Sequence, residues 1–323
     1  MSRLELKPFE DAYLEDAAAL LAVRHARDRT LEPLLDARYE DPAEALPRLE
    51  HLWGHDGMSG SAAFRDGRLV GYVIGAPQPS EIWGPNVWVE LPGHAVEDPE
   101  DARDLYGHAA ARWVEEDNTR HYALVPAEPA LVDAWFRVGF GQQQAHGYRS
   151  VSEPTEVRLP EGCSIREPTE ADVDELVAAR IDLALPEHQQ ASPVFSMRPL
   201  PTEEEIRTEW ADTIERGEEK VLLGYRDGRP VACWAFVPAA ASRHFQGPGL
   251  PTKACYLAYA VTLPESRGTG IGVALTETGF AWAAVEGYEA MVTDWRVTNL
   301  LASRFWPRRG FRASVLRLYR SIP

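Results

Sequence analysis

Ala258-Tyr259-Ala260-Val261-Thr262-Leu263-Pro264-Glu265-Ser266-Arg267-Gly268-Thr269-Gly270-Ile271-Gly272 reads as a strand, a glycine-rich loop and the first turn of a helix. Glycine at 268, 270 and 272 lets the main chain approach a ligand closely, because no Cβ stands in the way. The helix that begins near Gly272 adds unsatisfied N–H groups and the positive end of its dipole. Such a turn is a receptor for a diphosphate.

Outward from this stretch, the chain repeats itself. Phe64-Arg65-Asp66-Gly67-Arg68-Leu69-Val70-Gly71 matches Tyr225-Arg226-Asp227-Gly228-Arg229-Pro230-Val231-Ala232 at an offset of 161. Each is a hairpin with an Asp-Gly turn between apolar strands. Val89, Leu91 and Pro92 match Val261, Leu263 and Pro264 at an offset of 172, and Trp135, Gly139 and Phe140 match Trp306, Gly310 and Phe311 at 171. The jump in offset predicts an extra segment in the second half, near Ala239 to Lys253, whose glycines and prolines read as a mobile loop. Two domains follow, residues 1–152 and 163–323, with a linker within Ser150 to Gly162.

The halves diverge where the glycine loop should recur. At the matching offset, Arg267 to Gly272 correspond to Ala95-Val96-Glu97-Asp98-Pro99-Glu100. Here Asp98 reads as a helix N-cap, Pro99 as the first helical residue, and Glu100 and Asp101 as first-turn acids. Such a helix satisfies its own N-terminus and repels phosphate, so only the second half is expected to hold the ligand.

Composition narrows the class. With 323 residues, 45% hydrophobic and 26% charged, the chain can build two ordinary cores. Its longest apolar run, Ala17 to Val23, falls well short of the roughly 18 residues of a membrane span. Ser2 to Asp11 carries acids where a secretion signal carries bases. Cys163, Cys233 and Cys255 form no CxxC pair, which argues for reduced thiols and against zinc. The formal charge of −17 repels nucleic acid and anionic membranes and favours cationic partners. We expect a cytoplasmic protein, monomeric or homodimeric, without a metal.

The second half resembles the GNAT superfamily of N-acetyltransferases, and the whole chain resembles its tandem members. The superfamily's signature for acetyl-CoA, Gln or Arg followed by x-x-Gly-x-Gly or Ala, fits Arg267 to Gly272. It follows a strand and precedes a helix with apolar positions at Ile271, Ala274, Leu275, Trp282 and Val285. A second strand, Ala290 to Trp295, then Asn299, Ala302 and Gly310-Phe311 follow at the superfamily's spacing. Ile165 fits its first strand, Ala171 to Ile181 its first helix, and Val221 to Val237 its central hairpin. The implied fold is α/β, two tandem domains each with a mixed sheet flanked by helices. The implied reaction is transfer of an acetyl group from acetyl-CoA to a primary amine of a small molecule.

Residue by residue, the resemblance implies that Ala260, Val261 and Thr262 meet the pantetheine arm through their main chain. Arg267, Gly268, Thr269, Gly270, Ile271, Gly272 and Val273 would cradle the diphosphate, and an amide near Val261 or Thr262 would stabilise the oxyanion. Asn299 would bond near the cofactor arm; as a helix N-cap it has a second, compatible role. Where the superfamily usually has a tyrosine that protonates the leaving thiolate, this chain has Trp306. Indole N–H donates but is no acid near neutrality, so packing is the expected role of Trp306 and of Trp135. Another group donates the proton, or water does, or the protein has lost its chemistry and binds coenzyme A as a regulator or scaffold.

For the acceptor side, strand alternation predicts Tyr256, Ala258 and Ala260 on one face and Leu257, Tyr259 and Val261 on the other. The resemblance implies that residues nine and eleven before the signature arginine, here Ala258 and Tyr256, can face the acceptor amine; Tyr256 either holds a bridging water or substrate, or is a core tyrosine. Ser303, one turn before Trp306, either bonds the sulfur or is a plain helix serine. Asp294 and Arg296 are expected to pair, and His244 is a loop histidine that could serve as a base. The acids from Glu203 to Glu209 form a solvated helix face that could also draw in an ammonium group. Ala258 and Ala260 leave room for a longer acyl chain as an alternative donor.

Overall fold

The computed structural model describes residues 3–78, 80, 83–152, 156–191, 199–242 and 245–323. His244 lies outside them. The chain forms two compact units: Met1–His146 with Gln246–Pro251 and Ala313–Pro323, and Gly147–Phe245 with Thr252–Arg312. This partition differs from the linear one in three places. The extra segment of the second half lends Gln246–Pro251 to the first unit, the last strand belongs to the first unit, and Gly147 onward belongs to the second.

The first unit comprises β1 (Glu5–Pro8), α1 (Leu14–Leu31), α2 (Pro42–Trp53), β2 (Ser59–Arg65), β3 (Arg68–Gly75), β4 (Asn86–Val89), β5 (His94–Val96), α3 (Asp101–Glu115), β6 (Arg120–Pro126), α4 (Pro129–Arg137) and the start of β7 (Gly141–Ser150). The strands β1-β2-β3-β5 form an antiparallel sheet. On one face of it α1 and α2 bury Leu21, Leu49, Phe64, Tyr72 and Ile74 in a single cluster. The hairpin turn has positive φ at both Asp66 (52°) and Gly67 (76°), the backbone that an Asp-Gly pair adopts at least cost. Gly247, Pro248 and Gly249 of the extra segment are buried in this unit, and Leu35 bridges Pro251. The sequence expectation of a mobile loop is corrected there: these residues are buried, and the Leu35–Pro251 bridge ties the segment down through the main chain.

The second unit holds β8 (Cys163–Arg166), α5 (Val173–Ala179), α6 (Ile181–Gln190), α7 (Glu203–Arg216), β9 (Lys220–Arg226), β10 (Arg229–Pro238), β11 (Ala254–Thr262), α8 (Ile271–Val285), β12 (Ala290–Arg296) and α9 (Leu300–Arg308). Its strands run in the order β12-β11-β10-β9-β8, antiparallel except for the parallel pair β11–β12. The final strand, β13 (Arg312–Ser321), pairs antiparallel with β6 from Val315–Pro126 to Ser321–Arg120.

Two helical layers cover opposite faces of the second sheet. Leu223, Cys233, Ala235 and Val261 pack with α5, α6 and α7. The alternate residues face α8: a Cβ on Gly224 would come within 2.9 Å of Ile271, and one on Gly279 within 2.2 Å of Phe236. These glycines let α8 lie close on the sheet. The first helix of this half, read from sequence as Ala171 to Ile181, is in fact two. Arg180, with φ of 57°, breaks the run between α5 and α6.

Candidate cofactor slot

The parallel pairing of β11 with β12 runs from Ala254–Ala290 to Leu257–Thr293 and stops. Both strands continue, β11 to Thr262 and β12 to Arg296, so they splay apart beyond that point. The cause lies in β11. Ala235 of β10 opposes Tyr259 and Phe236 opposes Leu257, leaving Ala258 as an extra residue. A bulge of this kind bends its strand and increases the local twist. Thr293 Oγ1 donates to the Leu257 carbonyl at 3.0 Å and closes the base of the fork.

The bulge also corrects the expected alternation. Tyr256 opposes Val237 and Tyr259 opposes Ala235, so Tyr256 shares the α6 face with Tyr259 and Val261, whereas Ala260, opposite Trp234, faces α8. Tyr256 is buried, packs at a tilt against Phe245 with ring centroids 5.1 Å apart, and donates its hydroxyl to Asp294. It does not line the slot. Asp294 therefore holds Tyr256, a contact that sequence proximity to Arg296 does not suggest.

A cavity of about 390 Å³ opens where the strands diverge, between the end of β11, the glycine loop, α6 and α9. Its walls contain Ala260, Val261, Thr262, Arg267, Gly268, Gly270, Gly272, Val273, Asn299 and Trp306 from the sequence-derived set. Gly268 and Gly270 have φ of 79° and 94°, conformations that other residues adopt only with strain. A Cβ on Gly272 would sit 3.2 Å from Trp234 and 3.6 Å from Thr262 Oγ1. No described group accepts a hydrogen bond from the N–H groups of Gly268 to Val273, and α8 has neither a capping side chain nor an acid in its first turn. Arg267 donates from Nε to the Thr262 carbonyl at 3.1 Å and ties the loop to the strand end. The site is thus a fan of free main-chain donors at the positive end of a 15-residue helix.

Three of the expected residues play other parts. Thr269 turns its hydroxyl to the Ser266 carbonyl at 2.8 Å and braces the loop. Ile271 is 1% exposed and packs on the sheet, so only its main chain can serve a ligand. Ser303 lies outside the cavity wall. Asn299 caps α9, its Oδ1 accepting from Leu301 and Ala302 N–H at 3.1 and 3.2 Å, and it also lines the slot. Trp306 is 6% exposed, packed edge-on to Phe305 and Phe311. Sequence reasoning missed Ala184, Leu185 and His188, which reach the slot from α6. The break at Arg180 that creates α6 has no glycine or proline to announce it.

The first unit has the fork without the cavity wall of donors. There β4 pairs in parallel with β6 up to Val89–Ala123, after which the chain turns away to β5. His94 Nε2 bonds the Leu124 carbonyl at 2.9 Å, and Arg24 Nη1 donates to the carbonyls of Leu91 (2.7 Å) and His94. Side chains of the unit fill its own gap. Its helix α3 begins at Asp101 with Glu100 in the cap position, two residues later than the sequence reading, because Asp98 first closes a turn by accepting Glu100 N–H at 3.0 Å. Asp101 in that first turn is held by Arg65 through two bonds of 2.6 Å.

Near the slot, on α6, Asp182 accepts the Trp210 indole N–H at 2.6 Å, and burial pushes its carboxyl up to about 6. A carboxyl with a raised folded-state pKa binds a proton on folding, so stability falls as pH rises from about 4 to about 6 and the whole penalty is present above that. Asp182→Asn keeps an acceptor for Trp210 and removes the charge. At pH 7.5 it is expected to be more stable by on the order of 1–2 kcal/mol, discounted for partial exposure, with no gain left at pH 4. Thermal unfolding at the two pH values checks this.

Residues 184–311 match the acetyltransferase (GNAT) family. That segment, within the second half, is similar to the GNAT family. Solved structures extend the likeness of fold to both halves. A GCN5-related N-acetyltransferase from Sphaerobacter thermophilus superposes with a TM-score of 0.59 at 14% identity, over 98% of this chain and 95% of that one. A tandem GNAT protein from the clavulanic acid biosynthesis pathway gives 0.50 at 15% identity, over 99% and 98%. A glucosamine N-acetyltransferase region of a fungal multi-domain β-N-acetylglucosaminidase gives 0.52 at 14%, over 99% of this chain and 38% of that one. No curated protein matches the chain by sequence. The acetyltransferase match falls on the half that carries the glycine loop, and the mixed α/β fold is shared with these structures. Among the described residues no helix is long and apolar enough to cross a membrane, and no group of three or more His, Cys, Asp or Glu could hold a metal ion.

Proposed function

We propose that the second unit binds acetyl-CoA in the fork between β11 and β12 and passes its acetyl group to a primary amine of a small molecule, while the first unit is a degenerate copy without a cofactor. The observation that carries this reading is the run of free N–H groups from Gly268 to Val273 at the mouth of the slot. The diphosphate would lie on those donors and on Arg267, with Asn299 and the β11 main chain along the arm. Bound acetyl-CoA supplies an activated acyl carbon. Strand-edge amides near Val261 support charge that develops on the acyl oxygen.

The faces of the sheet give the slot a direction. The donor loop precedes α8 on one face, and Ala184, Leu185 and His188 of α6 close the slot on the other. A cofactor held by its diphosphate at the loop would present its reactive end toward α6, so the amine is expected to approach from there. A formal charge of −17 favours an acceptor that arrives as an ammonium ion.

Calorimetric titration with acetyl-CoA tests the reading, followed by thiol release with glucosamine, spermidine and tyramine. Micromolar binding with turnover of at least one amine is expected. Absence of binding at high micromolar acetyl-CoA would refute the cofactor assignment, and binding without turnover of any amine would favour a regulatory coenzyme A-binding protein.

A further inference from the structure

We propose that His188 is the proton donor to the departing thiolate, taking the part that Trp306 cannot. This rests on the slot reading above. Among the side chains that line the slot, His188 and Arg267 are the ones that ionise. A guanidinium only donates hydrogen bonds, whereas an imidazole can both give and take a proton. Arg267 also sits in the donor loop, tied to the Thr262 carbonyl. His188 sits at the opposite, α6 end, where the reactive end of the cofactor is expected.

The ring is held, which a merely solvated histidine would not be. His188 Nε2 lies 3.1 Å from Asn299 Oδ1. The same oxygen accepts from Leu301 and Ala302 N–H, which identifies it as the amide oxygen and makes Nε2 the protonated nitrogen. The capping of α9 therefore fixes both the tautomer and the orientation of the imidazole, and leaves Nδ1 as the second exchangeable site. Of the charged and titratable groups on α6 and the elements packed against it, Arg180 and Glu187 pair with each other at 2.6 Å, Asp182 holds Trp210, and Cys233, Tyr256 and Tyr259 stay outside the slot lining.

The step balances. As the amine nitrogen forms its bond to the acyl carbon, the carbon–sulfur bond breaks and the sulfur takes the proton of the imidazolium. The ring is then reprotonated by the proton lost from the amine, so each turnover leaves His188 as it began.

Full-length wild type, His188→Gln and His188→Gly test the assignment. Acetyl-CoA affinity is expected to stay within about threefold while kcat falls by about 10²–10⁴, the usual worth of general acid catalysis. The alkaline limb of the kcat profile should vanish in both variants, and imidazole in the buffer should restore part of the rate to His188→Gly alone. A readout independent of turnover is the NMR titration of the His188 ring: coenzyme A should shift it, and desulfo-coenzyme A, which lacks the sulfur, should shift it far less. An unchanged kcat and pH profile in His188→Gln, or equal shifts with the two ligands, would overturn the proposal. Wild type that fails to bind acetyl-CoA at all would instead remove the slot reading beneath it.

Discussion

Gly270→Asp is expected to weaken acetyl-CoA binding at least 100-fold, about 3 kcal/mol, without unfolding the protein. Two effects act together. The backbone at Gly270 has φ of 94°, and a Cβ there would meet Pro160 at 3.2 Å, so any side chain must adjust the loop. The larger effect is electrostatic: a carboxylate at the first residue before α8 would occupy the N–H groups that the diphosphate needs and repel its charge. Gly270→Asn separates the two, because it has nearly the same size and tolerance of left-handed backbone but no charge. It should lose roughly a tenth as much affinity as the Asp variant. Equal losses would show that shape, and not charge, governs the loop. The first unit has acids at the matching place: Asp98 closes the turn before α3 and Asp101 is held by Arg65.

The glycine loop was legible because its chemistry is written in consecutive residues: left-handed glycines, a helix start without acids, and an ordered series of motifs out to Gly310-Phe311. The fork was legible only in part. Ala258, the residue that bends β11, looks like any other strand alanine, and its being extra depends on which residues of β10 lie opposite. That single insertion moved Tyr256 to the other face. The break at Arg180 was equally silent, since an arginine in left-handed backbone leaves no compositional mark, and with it α6 and His188 were lost to view. The partition of the chain was hidden for a different reason. Trp135-Gly139-Phe140 and Trp306-Gly310-Phe311 mark the same local turn in each half, but nothing within β13 states that it pairs with β6. Pairing is a property of two distant segments, and a repeat reports only local resemblance.

How the first unit closed its fork leads to the largest expected effect on stability. Arg24→Leu should destabilise the protein by about 3–5 kcal/mol, measured by thermal or denaturant unfolding, because it leaves one member of a buried ion pair alone. Arg24 is 3% and Asp28 7% exposed, joined by a bond of 3.1 Å. Burial already raises the Asp28 carboxyl, with Arg24 opposing that rise, so removing the guanidinium deprives the carboxylate of its main support. The carbonyls of Leu91 and His94 lose their donor as well. Arg24→Leu with Asp28→Leu should recover a large share of the loss, since two well-packed apolar groups replace the pair without an orphaned charge. The neighbouring His94 sets the pH dependence of the same region. Burial pushes it down to about 3, so it folds neutral, and unfolding takes up a proton below the ordinary histidine range. Stability contributed by His94 is therefore present in full above about pH 7 and declines as pH falls from there toward 3. His94→Gln should flatten that decline while keeping a donor for the Leu124 carbonyl. Neither variant is expected to create acetyl-CoA binding in the first unit: opening the gap between β5 and β6 removes a plug, but the helix beyond it still begins with acids. If Arg24→Leu instead left stability untouched, the side chains that fill this fork would not be what holds it shut.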